Sequence, residues 1–320
     1  MRRFSLAVHR EPGTLFAYIA LVVVVIAWLV RTPNLSVVTF TISIGGKLPL
    51  VLVAVGMAIV LISKGIDLSV GSLVALSNVI VVHDGWWHGN SWLGALAAVV
   101  VTGLVGFGNG LLIGKLRLPA LVVTVATGSV ALGLALYVQP QPGGSVTQGF
   151  MNFLMTVIGP VPVALFLIFL IPLAVWYPVS RSRAGYSLRA VGGDEAAAFV
   201  SGLSPWRSRA MAYMLSGVFA GLAGVFLTMA TSSGDPNGGS SFTLNAIAAA
   251  VLGGVSLAGG RGSVAGAIGG GLILGFITNL LSSWNVNSNW QYIVTGGLLV
   301  AVLGVPYVVS QARARKVSHG

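Results

Sequence analysis

Ten apolar stretches, each cut off by glycine, proline or charge, leave this chain little to fold into except membrane-spanning helices. They lie at about residues 14–30, 48–62, 69–82, 92–113, 119–138, 162–180, 210–230, 242–257, 263–281 and 290–308. A helix crosses a bilayer with about 17–25 mostly apolar residues. The second, third and eighth stretches are short for a straight span, so broken or re-entrant helices are expected there, where protein must cover the backbone. Composition agrees: 56% of the residues are hydrophobic and only 7% charged, whereas soluble domains carry roughly a quarter charged residues. The expected fold is an all-α polytopic membrane protein of about ten segments, one transmembrane domain over 1–320, with 181–209 as a polar loop inside it. No cysteine is present, which excludes disulfides and thiolate metal sites.

The amino terminus places Arg2, Arg3 and Arg10 ahead of the first apolar run. That run is too long for a signal-peptide core and no small-residue cleavage site follows, so it is expected to stay as the first span. Basic residues collect in cytoplasmic loops. With the amino terminus inside, Arg2, Arg3, Arg10, Lys64, Lys115, Arg117, Arg181, Arg183, Arg189, Arg207, Arg209, Arg261, Arg313, Arg315 and Lys316 fall inside, leaving only Arg31 and Lys47 outside. Both termini are then cytoplasmic, and Trp86, Trp87, Trp92, Trp284 and Trp290 mark the outer interface. The net charge of +11 reports this topology rather than nucleic-acid binding.

Glycines recur at helical spacing: Gly106/Gly110/Gly114, Gly217/Gly221 and Gly262/Gly266/Gly270. Small residues four apart let helices approach closely in lipid, within one protomer or across a dimer seam. None forms a phosphate loop, since Gly114-Lys115 is followed by leucine. The six acids (Glu11, Asp67, Asp84, Asp194, Glu195 and Asp235) lie in loops or at helix ends, so the intramembrane relay of an ion-coupled transporter is missing. Lys47 reads as an interfacial lysine snorkelling outward, with a solute contact as the competing reading. His9, His83, His88 and His319 lie in loops or tails, and no metal site is expected.

The polar stretch 181–209 contains a short helix with defined ends. Gly192-Gly193 interrupts the chain, Asp194 can cap free amides, Glu195 suits the helix dipole, Ala196-Ala197-Ala198 favour helix, and Gly202 with Pro205 ends it. About two turns of helix, roughly 10 Å long, are unstable alone and call for a docking partner. Two further motifs are Gly65-Ile66-Asp67-Leu68-Ser69-Val70-Gly71-Ser72, where Asp67 or Ser69 can cap the next helix, and 245–263, whose Gly259-Gly260-Arg261-Gly262 suggests a tight turn.

With these three motifs in this order, the chain resembles the permease subunits of bacterial ABC importers for ribose and other simple sugars, the ribose, xylose and galactofuranose type, over roughly residues 14–310. Residues Gly65, Asp67, Ser69 and Gly71 match one signature turn, and Gly260, Arg261 and Gly262 another. Residues Gly193, Asp194, Glu195, Ala196, Ala197, Ala198 and Gly202 match the family's cytoplasmic coupling helix. The resemblance implies a type II importer architecture in the bacterial inner membrane. It also implies a second permease, identical or paralogous, and two cytoplasmic ATPase subunits that carry ATP and magnesium, leaving no cofactor on this chain. A periplasmic or lipid-anchored sugar-binding protein would complete the assembly. The chain departs from the pattern at Asp194 for Asn, Lys64 for Gly, and Thr243 and Asn245 for Glu and Asp. Asn245, Thr243 and Asn109 are the candidate solute-path residues.

A monosaccharide or similar small polar solute is the favoured cargo, because no charge pair lines the spans to hold a zwitterion. A branched-chain amino-acid permease and an ion-coupled secondary transporter are the alternatives. Catalytic residues are not expected, and the chain is read as a transport subunit rather than an enzyme.

Overall fold

The computed structural model describes residues 12–287 and, beyond them, 289–291, 293, 294, 296–298, 300, 301 and 304. The tenth expected segment, 290–308, lies only partly within the described residues. Arg2, Arg3, Arg10, Arg313, Arg315 and Lys316, on which the orientation count partly rests, lie outside them.

Helix α1 (Pro12–Arg31) packs chiefly on α14 (Val264–Ser283) and otherwise presents apolar side chains outward. Ser36 starts the next helix by accepting the Thr39 amide at 3.1 Å. Here the boundary differs from the sequence expectation. Gly45-Gly46-Lys47 looks like a break, yet Gly46 (φ −67°) and Lys47 (φ −89°) both take right-handed helical backbone. Helices α2 (Val37–Gly45) and α3 (Leu48–Ile62) therefore run on as one 26-residue apolar segment, Val37–Ile62. The second span is not short, and Lys47 stands well inside it rather than at its outer start. Its Nζ donates to Asn279 Oδ1 at 2.6 Å and lies 5.9 Å from the centre of the Phe276 ring.

Among the described residues seven segments are long and apolar enough to cross a membrane. Besides Gly13–Arg31 and Val37–Ile62 they are α6 (Ser91–Gly114), α7 (Ala120–Val138), α9 (Val163–Ser180), α12 (Pro205–Thr231) and α14. The third and eighth expected segments are the shorter helices α4 (Val70–Val82) and α13 (Phe242–Leu252). At a rise of about 1.5 Å per residue they are about 20 and 16 Å long, each too short for the hydrocarbon core of about 30 Å. Their first turns meet: the Gly71 amide donates to Thr243 Oγ1 at 3.1 Å. From there α4 runs along the later half of α12, where Ser77 Oγ donates to the Gly221 carbonyl at 2.7 Å. Helix α13 instead packs against the start of α14.

The buried core centres on α3, and the most extensive helix pairing beside it is that of α6 with α12. A Cβ on Gly106 would meet the Tyr213 carbonyl, one on Gly110 would meet the Ala210 backbone, and one on Gly217 would meet the Thr102 carbonyl. Gly266 and Gly270 similarly admit the α13 backbone at Gly253 and Ala249. The glycine rows thus close-pack helices within one chain.

Smaller elements fill the connections. They are α5 (Asp84–Trp87), α8 (Gln148–Met155) and a two-residue antiparallel hairpin of β1 (Val157–Ile158) and β2 (Val161–Pro162). The stretch 181–209 is not a loop with one short helix. It is a corner of two helices, α10 (Arg183–Gly193) and α11 (Glu195–Val200), followed directly by α12. Ser182 starts α10 by accepting the amides of Ala184 and Gly185.

Candidate functional site

The three sequence motifs, far apart in the chain, converge at the end of the bundle that carries Arg209. The carbonyl of Ile62, the last residue of α3, accepts the Gly260 amide at 2.9 Å. A Cβ on Gly192 would overlap that same carbonyl. One on Gly259 would press on the Gly192 carbonyl and Lys64, and one on Gly260 would fall 2.7 Å from Gly193 Cα. Gly259, Gly260 and Gly262 hold φ values of +86°, +71° and +133°, the left-handed region where glycine has no steric penalty. Glycine is thus required at Gly192 for close approach and at 259–262 for the turn. The Arg261 carbonyl accepts the Ser256 amide at 3.1 Å, while the Arg261 side chain is exposed.

Helix α11 projects from this junction. Asp194 serves both helices at the corner. Its amide donates to the Ala190 carbonyl at 3.0 Å, closing α10, and its Oδ1 accepts the Ala197 amide at 3.0 Å, opening α11. Gly202 (φ +81°) ends the helix, with the Leu203 amide reaching back to the Ala198 carbonyl at 3.1 Å. Glu195 pairs with Arg209 of α12 at 2.6 Å. Ala198 alone faces inward, whereas Phe199 is 69% and Val200 87% exposed. The result is a short helix fixed at both ends and strapped to α12, holding two apolar side chains outward. Phe199 and Val200 went unnoticed in the sequence. Their signal was a pair of large apolar residues closing an otherwise alanine helix.

Just behind the junction the turn 63–69 folds into the bundle. Asp67 is fully buried. Its Oδ1 accepts the Ser69 amide at 3.0 Å and Ser69 Oγ at 2.5 Å, and its Oδ2 accepts Ser216 Oγ at 2.8 Å. Asn109 Nδ2 donates to Ser69 Oγ at 3.2 Å, and Thr127 Oγ1 donates to Asn109 Oδ1 at 2.6 Å. Tyr213 adds a hydrogen bond to the Ile66 carbonyl at 3.2 Å. A continuous polar chain therefore joins α7, α6, this turn and α12. Ser69 occupies the start of α4, yet its hydroxyl donates to Asp67 instead of capping an amide. Of the two expected caps, the Ser69 side chain does not cap α4, whereas Asp67 holds the Ser69 amide at the helix start and also makes the cross-bundle tie.

The candidate solute-path residues do not share one surface. Asn109 is buried with both ends of its amide engaged, by Ser69 and Thr127. Thr243 holds the Gly71 amide. Of the three, only Asn245, half-buried on α13, has a side chain without a hydrogen-bonding partner among the described residues. No group of histidine and acid side chains able to hold a metal occurs among the described residues.

A polytopic bundle of long apolar helices, with a capped helical corner standing out from one end, has the build of a membrane permease subunit. The chain belongs to the family described as branched-chain amino acid transport system / permease component, whose model matches residues 40–303. It is similar to the ribose import permease protein of Escherichia coli strain K12, 33% identical over 311 residues that cover 94% of this chain and 95% of that protein. It is also similar to the ribose import permease protein of Bacillus subtilis, 37% identical over 79% of this chain and 80% of that protein. The D-allose transport system permease protein of Escherichia coli strain K12 is 32% identical over 82% of this chain and 81% of that protein. No solved structure gives a significant match. The chain is a multi-pass membrane protein and a transport permease subunit of the ABC type, not an enzyme.

Proposed function

We propose that this chain is the membrane-spanning half of an ATP-driven importer for a monosaccharide or a similar small polar solute. The observation that carries the reading is α11: a two-turn helix with both ends fixed and Phe199 and Val200 exposed. Apolar side chains held out at the charged end of a membrane protein call for a protein partner. A separate cytoplasmic ATPase, holding ATP and magnesium, fits that need, and its closure would push on α11. The push would pass through the rigid glycine junction to α3, α12 and the 253–262 turn. In this reading the bundle sits in the bacterial inner membrane with both termini cytoplasmic. A second permease completes the pore, and a periplasmic or lipid-anchored binding protein delivers the sugar.

The sugars for which the relatives are named, ribose and allose, support a sugar. The family description names branched-chain amino acids, but a zwitterion calls for paired charges along its path. The one ion pair among the described residues, Arg209–Glu195, lies at the end of the bundle. The test is ATP-dependent sugar uptake in proteoliposomes containing the chain, its ATPase and its binding protein. Replacing 195–201 by a Gly-Ser linker is expected to abolish uptake while leaving a folded permease in the membrane. Undiminished uptake would overturn the coupling role, and pH-driven uptake by the chain alone would assign it to the ion-coupled class.

A further inference from the structure

A cleft beside α11, away from the exposed Val200 but reaching Phe199, is lined by more positive charge than the coupling role uses. Its volume is about 690 Å³, and it is bordered by Lys64, Arg117, Glu195, Phe199, Arg209 and Tyr213. Glu195 is neutralised by Arg209 at 2.6 Å, but among the described residues Lys64 and Arg117 have no acidic partner. Both stand in left-handed backbone, Lys64 at φ +63° and Arg117 at φ +56°. Glycine occupies that region without steric cost, and long side chains rarely do. Both positions end helices: at Lys64 the left-handed residue closes α3, with the Lys64 amide on the Leu61 carbonyl at 2.9 Å and the Gly65 amide on the Val60 carbonyl at 3.0 Å, a role glycine usually fills. Two such helix ends on the rim of one cavity thus carry cations without an acidic partner.

The surroundings indicate what the cations meet. A smaller cavity of about 270 Å³ continues from the first, sharing Lys64, Gly65 and Ala120 and reaching Leu121 and Leu257. Arg117 lies between Leu116 and Leu118, and these two, Leu121 and Leu257 are all substantially exposed. The site thus pairs two free cations with an adjoining apolar slot at the end of the transmembrane helices. That is the pattern of an anionic amphiphile: phosphate at the charged end, chain along the leucines.

We propose that this cleft binds the headgroup of an anionic phospholipid from the leaflet at the Arg209 end. The phosphate would sit between Lys64 and Arg117, with an acyl chain against Leu118 and Leu121. Such a lipid would bridge the α6–α7 connection and the turn at Lys64, the floor beneath α11. The proposal does not depend on the import role, because lipid retention is measured without transport.

The experiment is native mass spectrometry of the purified full chain, taken from bilayers of phosphatidylcholine and phosphatidylglycerol. The wild type is expected to retain phosphatidylglycerol preferentially. Lys64→Gly with Arg117→Gly removes both charges while relieving the backbone. A cation near a membrane surface contributes about fivefold in lipid binding, so the double variant is expected to bind about twenty-five-fold more weakly. Arg189→Gln, an exposed cation outside the cleft, is expected to leave retention unchanged. Should the double variant misfold, Lys64→Gln and Arg117→Gln taken singly carry the same test, at about fivefold each. Full retention in the charge-removed variants, or equal loss in Arg189→Gln, would overturn the site. Displacement of the lipid by millimolar inorganic phosphate would overturn the lipid as its occupant.

Discussion

The carbonyl oxygen of Ile62 occupies the space that a side chain on Gly192 would need, while Gly193, one residue on, faces open space. Adjacent glycines in one helix are therefore expected to respond oppositely to a methyl group. Gly192→Ala must push backbone against backbone and is expected to destabilise the protein by about 1–3 kcal/mol or more. Gly193→Ala is expected to be neutral or to stabilise by roughly 0.5–1 kcal/mol. Thermal unfolding of the two variants in detergent decides it, and equal losses would refute a specific close approach at Gly192.

Phe199 and Val200 make a separable prediction, since neither supports the fold. Phe199→Asp and Val200→Asp are expected to leave thermal stability within about 0.5 kcal/mol of wild type, as surface changes do. As buried anchors of an interface they are expected to cost about 2 kcal/mol or more of partner affinity. Co-purification of the ATPase with the permease measures this, and unchanged association would move the docking surface elsewhere.

Asp67 supports structure through three donors rather than through its charge. Asp67→Ala leaves the Ser69 amide and the hydroxyls of Ser69 and Ser216 facing a void, at about 1–3 kcal/mol for each buried group left unsatisfied. Asp67→Asn keeps one accepting oxygen, and Ser216 can rotate to accept from the amide nitrogen. The asparagine variant is expected to express and unfold much closer to wild type. If asparagine is as damaging as alanine, the negative charge matters more than the hydrogen bonds.

How much of this could be read beforehand varies by element. Long apolar runs such as 92–113 and 119–138 announce their helices because lipid demands that pattern, and the Asp194–Gly202 ends followed from capping chemistry. The α2–α3 continuation did not show, because glycine permits right-handed helix as readily as a break, and only packing decides. Helix α10 was hidden for a related reason: its mixture of arginine, serine and glycine has little apolar periodicity, and Ser182 was its one clear signal. The convergence of Ile62, Gly192 and Gly260 is a tertiary fact. Each segment's glycines looked like turns, and nothing local says which of them are there to let another backbone in.

Lys47 and Asn279 supply a last test. Their hydrogen bond, 2.6 Å long, holds an ammonium between two spanning segments. Asn279→Leu alone leaves the ammonium unpaired and is expected to destabilise by about 1–3 kcal/mol. Lys47→Met keeps the stem that packs on Gly275 and removes the charge. The double variant is expected to recover most of the loss, as unpaired charge rather than lost packing is the main cost. Additive losses in a double-mutant cycle would show that the two residues act independently.

The Asp67–Ser216 hydrogen bond joins residues 149 positions apart, and that separation sets an order of events during synthesis. At about 5–20 residues per second, roughly 7–30 s pass between the ribosome's addition of the acid and of the serine that completes its shell. Until then only nearby Ser69 can serve the carboxyl, so the turn 63–69 cannot take its buried position when it first leaves the ribosome. The first half of the bundle must wait, with that turn still in contact with water or the insertion machinery, until α12 arrives to draw it in. Truncated chains ending before residue 216 should accordingly leave this turn open to proteases that cannot reach it in the full-length protein.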